Sequence, residues 1–277
     1  MPISLSFYTR DRLYGRYQNC CLYCMMEHMG KGITLSTGNS TFPAYLAEPT
    51  GDIKGGIIVI HEIWGLADHI KSICDRFANE GYVALGPDLL SETGIEEHVT
   101  PGLAEALFDP DPEKRVAIQP QLRGIMAPIH APEFAGTAKT KLEECFRYMT
   151  QETVAKDKVA VTGFCFGGTY SFQLAISEPK LKAAIPFYGH SDFSAEELGN
   201  IQCPVLAFYG EDDSRLISAL PDLDSIMKKA GVTFEYVVYP HCGHAFFNDT
   251  NKFTYNPEAA ADAWQRTLKF LEANLSV

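Results

Sequence analysis

The stretch Val159–Tyr170 reads VAVTGFCFGGTY. Val159 to Gly163 is a short run of branched and small apolar residues, the composition of a strand buried on both faces of a parallel sheet. Cys165 then stands between Phe164 and Phe166, with Gly163 before it and Gly167 and Gly168 after it. A nucleophile at the tip of a sharp strand-to-helix turn needs small neighbours, because the backbone there is strained and closely packed. The pattern is G-x-S-x-G with sulfur in place of oxygen. By itself it reads equally well as a buried structural thiol beside a glycine-rich turn, since free cysteine packs as a small hydrophobe.

Working outward, the rest of the chain alternates. ITLST (33–37) and AYLAE (44–48) predict two strands of a hairpin, joined by a turn rich in Gly, Asn and Ser. GGIIVI (55–60), YVALG (82–86), AAIPFYG (183–189), PVLAFYG (204–210) and FEYVVYP (234–240) read as further strands. Between them lie segments read as helices, 67–80, 101–126, 138–149, 169–176, 218–230 and 257–273, with apolar residues at helical spacing in 67–80 and 138–149. Strands separated by helices pair in parallel through right-handed crossovers. The expected fold is therefore α/β: a doubly wound, mostly parallel sheet with an N-terminal antiparallel hairpin, in a single domain over 29–277. The segment 100–134 is a candidate cap insertion.

Composition narrows the function. The chain has 277 residues, 46% of them hydrophobic, and 23 basic against 35 acidic side chains give a net charge of −12. Such a balance repels phosphate backbones and anionic lipid, which argues against nucleic-acid or membrane-surface partners. No apolar run approaches the ~20 residues needed to span a bilayer, and the N-terminus lacks a secretory apolar core. A cytoplasmic protein acting on a small molecule is the expectation. The eight cysteines do not form the dense framework of a small disulfide-rich domain, so reduced thiols are expected. Residues 1–28, with clustered aromatics, Met and three cysteines, look like a poorly ordered extension. Cys21-x-x-Cys24 has no second Cys or His pair at zinc-site spacing; neither metal nor cofactor is predicted.

Two more groups follow in the order that a nucleophile-elbow fold requires: nucleophile, acid, histidine. Glu211-Asp212-Asp213 comes after PVLAFYG, and His241-Cys242-Gly243-His244 comes after FEYVVYP. Catalytic groups in open parallel sheets gather at such C-terminal strand ends. Separately, Asp213 reads as a helix cap and His244 as a loop histidine; together, with Cys165, they read as a triad. A fourth group, His61-Glu62-Ile63-Trp64-Gly65, follows GGIIVI directly. Gly65 occupies the place of the second histidine of a zinc-protease motif, so the segment is not one. A loop here supplies the second oxyanion N–H beside the elbow, and the Ile63 amide is the candidate. The Phe166 amide, at a helix N-terminus, is the first. Glu62 is either an exposed loop carboxylate or an acceptor for the resting thiol.

These residues together resemble the dienelactone hydrolase family of the α/β-hydrolase fold. The resemblance runs from about Ile33 to the C-terminus through HEIWG, GYVALGPDLL, VTGFCFGG, FYGEDD and YPHCGHAFF. It implies that Cys165 is the nucleophile, His244 the base, Asp213 rather than Asp212 its orienting acid, and Glu62 the group that helps generate thiolate. Ile63 and Phe166 would then provide the oxyanion amides. Family members that hydrolyse dienelactone hold its carboxylate with two arginines. The corresponding places here read Leu90-Ser91-Glu92 and Asn248. Neither is cationic, and Glu92 is expected to repel an anion.

Sulfur as nucleophile also constrains the substrate. Thiolate leaves more readily than alkoxide, so an unactivated ester tends to fall back to substrate. Lactones, enol esters and thioesters, whose leaving groups depart easily, suit a cysteine better. Hydrolysis of lactones or activated esters is the predicted function, with thioester cleavage or a non-catalytic binding relative as the alternatives. Trp64, Phe164, Phe166, Phe246 and Phe247 are candidate pocket aromatics, and Cys242 a candidate redox partner for Cys165.

Overall fold

The computed structural model describes residues 29–276 apart from 39, 99, 108 and 110; the expected extension over 1–28 lies outside the described residues. The hairpin forms as β1 (Lys31–Ser36) and β2 (Thr41–Ala47), which pair antiparallel. The alternating chain then gives β3 (Gly55–Ile60), α1 (Asp68–Asn79), β4 (Tyr82–Pro87), α2 (Pro101–Leu107), α3 (Pro112–Ile125) and α4 (Pro132–Gln151). It continues through β5 (Val159–Phe164), α5 (Phe166–Ser177), β6 (Ala183–Phe187), α6 (Ala195–Leu198), β7 (Val205–Gly210), α7 (Ser214–Ala230), β8 (Phe234–Tyr239) and α8 (Pro257–Leu275). The eight strands form one sheet in the order β1-β2-β4-β3-β5-β6-β7-β8. β2 meets β4 antiparallel, and every pairing from β4 to β8 is parallel.

This order places the functional segments. From β3 the chain crosses to β4 on one side, then returns past β3 to β5 on the other. The crevice where strand order reverses lies outside the carboxyl ends of β3 and β5, where open α/β sheets bind ligands. All six residues of β3 are buried, as are all of β5 and β7. That accounts for their unbroken apolar runs: with helices over both faces, neither face of the strand can be polar.

One expected element is corrected. The stretch 101–126 is not a single helix but α2 followed by α3. Asp111 caps α3, its carboxylate accepting the Glu113 N–H at 2.9 Å, and Pro112 takes the first helical position. Proline is favoured there, where its missing N–H costs nothing, and disfavoured further in. A small second core of Leu90, Ile95, Met126, Phe134 and Ala138 joins this region to the body, and Ile63, Phe166 and Tyr170 pack against it.

Candidate active site

Cys165 is the residue between β5 and α5, with φ 56° and ψ −112°. A non-glycine residue at positive φ is strained by roughly 1–3 kcal/mol, and close packing on every side holds it there. The Cys165 N–H donates to the Phe187 carbonyl at 3.0 Å. A side chain on Gly163 would strike the Gly167 carbonyl, and one on Gly167 would strike the Ile60 carbonyl. The glycines are therefore a consequence of α5 lying almost against β3 and β5. Phe166 opens α5, so its amide has no acceptor within the helix. Across the crevice, Gly65 N–H donates to the Glu62 carbonyl at 3.3 Å. That turn leaves the amide of Ile63, its second residue, unused by its own hydrogen bond.

His244 follows β8, on a turn where Ala245 also takes positive φ (62°). Its Nδ1 lies 2.5 Å from Oδ2 of Asp213. Asp213 stands at the N-cap of α7, but its side chain makes no capping bond; the carboxylate is given to the imidazole instead. Asp212 is exposed, and its backbone N–H donates to the Cys242 carbonyl at 2.9 Å. Burial opposes a charge on His244. The Cys165 sulfur, a hydrogen-bond partner of the ring, and the Asp213 carboxylate together outweigh burial and hold the imidazole well above its usual pKa. The sulfur, the imidazole and the carboxylate are thus brought together in sequence.

Glu62 is almost wholly buried. Its Oε2 accepts a hydrogen bond from Nδ2 of Asn248 at 2.5 Å, and the Tyr188 hydroxyl lies 3.5 Å from Oε1. Burial raises its pKa; the nearby His69 and His244 and the bonds from Asn248 and Tyr188 pull the other way without cancelling it. A carboxylate so placed holds a proton more tightly than one in water. Asn248 and Tyr188 escaped the sequence reading. In the sequence Asn248 marks only the place of a missing arginine, and Tyr188 only the end of strand AAIPFYG. The usable signal for Tyr188 was its place at the C-terminal end of the strand beside the nucleophile.

His61 is fully buried and has a settled tautomer. Nδ1 lies 2.6 Å from the Glu62 carbonyl, which can only accept, and Nε2 accepts the Leu89 N–H at 3.0 Å. Nδ1 therefore carries the proton. Burial, the leading cause, lowers its pKa. The ring stacks on Phe166 at 5.6 Å and 6°. Through this one neutral ring the loop after β3, the segment after β4 and the first residue of α5 are locked together.

The expected pocket aromatics and the expected bare charge at Glu92 are corrected. Phe164 and Phe246 do not line an open pocket: both are closed to solvent. Phe164 packs against Phe187 and Phe247, and Phe246 against Tyr188 and Tyr239. Phe247 is likewise buried. β5 ends by pointing Phe164 into the aromatic core, whereas Trp64 and Phe166 remain half-buried near the crevice. Glu92 does not stand as a bare negative charge, because Lys141, itself buried, reaches it at 3.0 Å. Cys242 is a buried free thiol whose pKa is raised by burial. Among the described residues no cluster of His, Cys, Asp and Glu could hold a metal, and no helix is long and apolar enough to cross a membrane.

A doubly wound sheet with a strained cysteine turn after β5, an aspartate after β7 and a histidine after β8 has the arrangement of the α/β-hydrolase fold. The model of the dienelactone hydrolase family matches residues 42–275, and the chain belongs to that family of carboxylic ester hydrolases. It is 37% identical to a provisionally named carboxymethylenebutenolidase of Saccharolobus solfataricus over 88% of this chain and 98% of that protein. It is 33% identical to the protein named usf of Aquifex pyrophilus, over 90% of this chain and the whole of the other. Among solved structures, a provisionally named dienelactone hydrolase from Klebsiella pneumoniae superposes with a TM-score of 0.73 at 25% identity, covering 87% of this chain and 97% of its own.

Proposed function

We propose that this protein hydrolyses lactones or activated esters of small molecules through an acyl-enzyme on Cys165, with His244 as proton carrier and Asp213 as its orienting acid. One observation carries the reading: the imidazole of His244 lies between the Cys165 sulfur and the Asp213 carboxylate, at the tip of the elbow. An imidazolium here is a counter-charge for the sulfur in its anionic form. The thiolate attacks the carbonyl carbon, and the amides of Phe166 and Ile63 receive the developing oxyanion. Collapse breaks the C–O bond, and the leaving oxygen takes its proton from His244. Water then attacks the thioester and gives a proton to His244. The acid departs and the thiolate returns. Each oxyanion donor contributes roughly 3–4 kcal/mol of barrier lowering in sites of this kind.

Glu62 serves when the thiol rests protonated. Buried, it is a stronger base than an ordinary carboxylate, and it sits on the same loop as Ile63. Residues 100–134 act as a roof, since Met126 and Phe134 belong to the small core against which Ile63 and Phe166 pack. Trp64 and Phe166 offer half-buried apolar surface to the substrate. Asn248 is committed to Glu62 and no arginine stands at either family position, so neutral substrates are preferred over anionic ones.

The deciding measurement follows turnover of neutral lactones, activated esters and acyl-CoA thioesters by wild type and Cys165→Ala. Lactone and ester hydrolysis that vanishes in Cys165→Ala is expected. Turnover retained by that variant, or confined to acyl-CoA, overturns the proposal.

A further inference from the structure

Cys165 after β5, Tyr188 after β6 and Ala245 after β8 are all held at positive φ without being glycine. Cys165 carries the sulfur and Ala245 follows His244. Tyr188, at φ 38°, belongs to no part of the triad. A bulky aromatic residue in that region is a conformational outlier, and its strain persists only where the surroundings enforce it. Here they do. The Tyr188 N–H donates to the Phe208 carbonyl at 2.7 Å, and a side chain on the next residue, Gly189, would strike the Gly168 backbone. The fold keeps a tyrosine where glycine would relieve the backbone, which points to a use for the side chain.

That side chain is fully buried and touches two groups of the proposed reaction. Its ring centroid lies 5.0 Å from that of the His244 imidazole, at 57°, and Phe246 backs it at 5.5 Å. Burial first, and then the nearby Glu62 and Cys165, push the Tyr188 pKa well above its usual value. The hydroxyl therefore keeps its proton and donates it to Glu62 Oε1 at 3.5 Å, while Asn248 takes Oε2. The titratable groups facing Glu62 are His69 from α1, His244 and Tyr188 itself. An imidazolium and a carboxylate in one buried site attract strongly, because little water screens them. Direct pairing of Glu62 with His244 would draw the imidazolium off the sulfur and leave the thiolate without its counter-charge.

We infer that Tyr188 is a positioning residue that keeps the two proton carriers apart: its hydroxyl commits Glu62 Oε1, and its ring holds the His244 imidazole toward Cys165 and Asp213. The imidazolium then pairs with the sulfur and not with Glu62. The inference deepens the function proposed above and rests on it, but its main readout, alkylation of Cys165, requires no substrate and no turnover.

The test follows the rate of iodoacetamide alkylation of the full chain from about pH 4 to pH 9, with the label located at Cys165 by peptide mass spectrometry. The proteins compared are wild type, Tyr188→Phe, Glu62→Gln and the double variant. Tyr188→Phe keeps the ring and removes only the hydroxyl. Its alkylation midpoint should move to higher pH by about one unit, the worth of one hydrogen bond, because Glu62 is freed to compete for the imidazolium. In the Glu62→Gln background the same substitution should produce no shift, since no charge is left to compete. Tyr188→Leu, which removes the ring as well, should also lower kcat for neutral lactones about tenfold, with a smaller change in KM. An unmoved midpoint in Tyr188→Phe would overturn the inference. So would equal shifts in both backgrounds, since the hydroxyl would then act without Glu62. Failure of Tyr188→Phe to fold would assign the hydroxyl to the fold and overturn it equally. If the shift appears while wild type hydrolyses no lactone or ester, the positioning role stands and only the proposed reaction is withdrawn.

Discussion

Asn248 donates a hydrogen bond to Glu62 at 2.5 Å, across 186 residues of chain. The loop after β8 and the loop after β3 are thus tied through a buried carboxylate. Asn248 is held in turn, its Oδ1 accepting from the Thr250 N–H at 3.0 Å and from the Thr250 hydroxyl. Removing the amide leaves a buried acceptor unpaired and frees the Glu62 side chain to turn. Asn248→Ala should lower kcat/KM about tenfold. Because the Asn248 bond holds the Glu62 pKa down, the acid limb of the pH–rate profile should also move to higher pH. A profile that keeps its position would show that Glu62 takes no part in the proton inventory.

The same carboxylate sets a stability signature of unusual sign. Burial raises the Glu62 pKa in the native state, above about 4.3 in the unfolded chain. Between those values the native protein binds more protons than the unfolded one, so stability falls as pH rises through that window. Glu62→Gln removes the titration and keeps the shape. Its midpoint of thermal unfolding should gain on wild type from pH 4 to pH 8, and not the reverse. Parallel melting curves across that range would contradict the assignment.

Fold and site were not equally legible. β3, β5 and β7 announced themselves because a strand covered on both faces has no polar residue to break its run. The order Cys165, Asp213, His244 was legible because the fold fixes which strand ends carry which group. The break between α2 and α3 is marked in the sequence by the polar stretch 109–115, where Asp111 caps α3 and Pro112 opens it, a local signal outweighed by the helical character of the segments on either side. Phe164 and Phe246 depart from the expected pocket for another reason. The direction in which an aromatic side chain leaves a strand end depends on partners such as Phe187 and Tyr239, which are distant in sequence. Tyr188 and Asn248 bear on Glu62 through three-dimensional contact alone, and no local pattern records it.

The close approach behind the elbow predicts a sharp intolerance. A methyl group at position 167 would overlap the Ile60 carbonyl and approach that of His61. Neither backbone can retreat, since β3 is fixed on both sides by β4 and β5. Gly167→Ala should therefore cost about 3 kcal/mol or more in denaturant unfolding, at the overpacked end of point substitutions. Gly136→Ala, at an open helical position with no neighbour near the added carbon, should change stability little or raise it slightly. Similar unfolding midpoints for the two variants would mean that α5 is not seated against β3.

His61 predicts a failure of structure that looks like a failure of chemistry. Replacing it by Ala strands the Leu89 N–H in the core and removes the ring on which Phe166 stacks. A stability loss of about 2–4 kcal/mol is expected, from the orphaned donor and the space left behind, together with loss of activity from the shifted Phe166 amide. Wild type should itself weaken in acid through this residue. The His61 pKa is lowered on folding, so the unfolded chain binds the extra proton as pH drops below about 6.5. Thermal melts between pH 5 and pH 7 would check this, since the His61→Ala variant should show the smaller slope.

The two neighbouring carboxylates after β7 separate orientation from mere charge. Asp213 touches the imidazole at 2.5 Å, whereas Asp212 is exposed one residue away. Asp213→Asn should lower kcat about a hundredfold or more, because the ring loses the partner that fixes its tautomer and supports its charge. Asp212→Asn should stay within about threefold, since an exposed charge is screened. The stabilities should diverge in a defined direction. His244 has its pKa raised in the native state, so its pairing stabilises the fold fully below about pH 6.5 and loses that contribution as pH rises through the native value. The deficit of Asp213→Asn against wild type should thus be largest near pH 6 and shrink in alkali. Equal effects of the two substitutions on kcat would mean that general negative potential, rather than the contact with His244, is what the reaction uses.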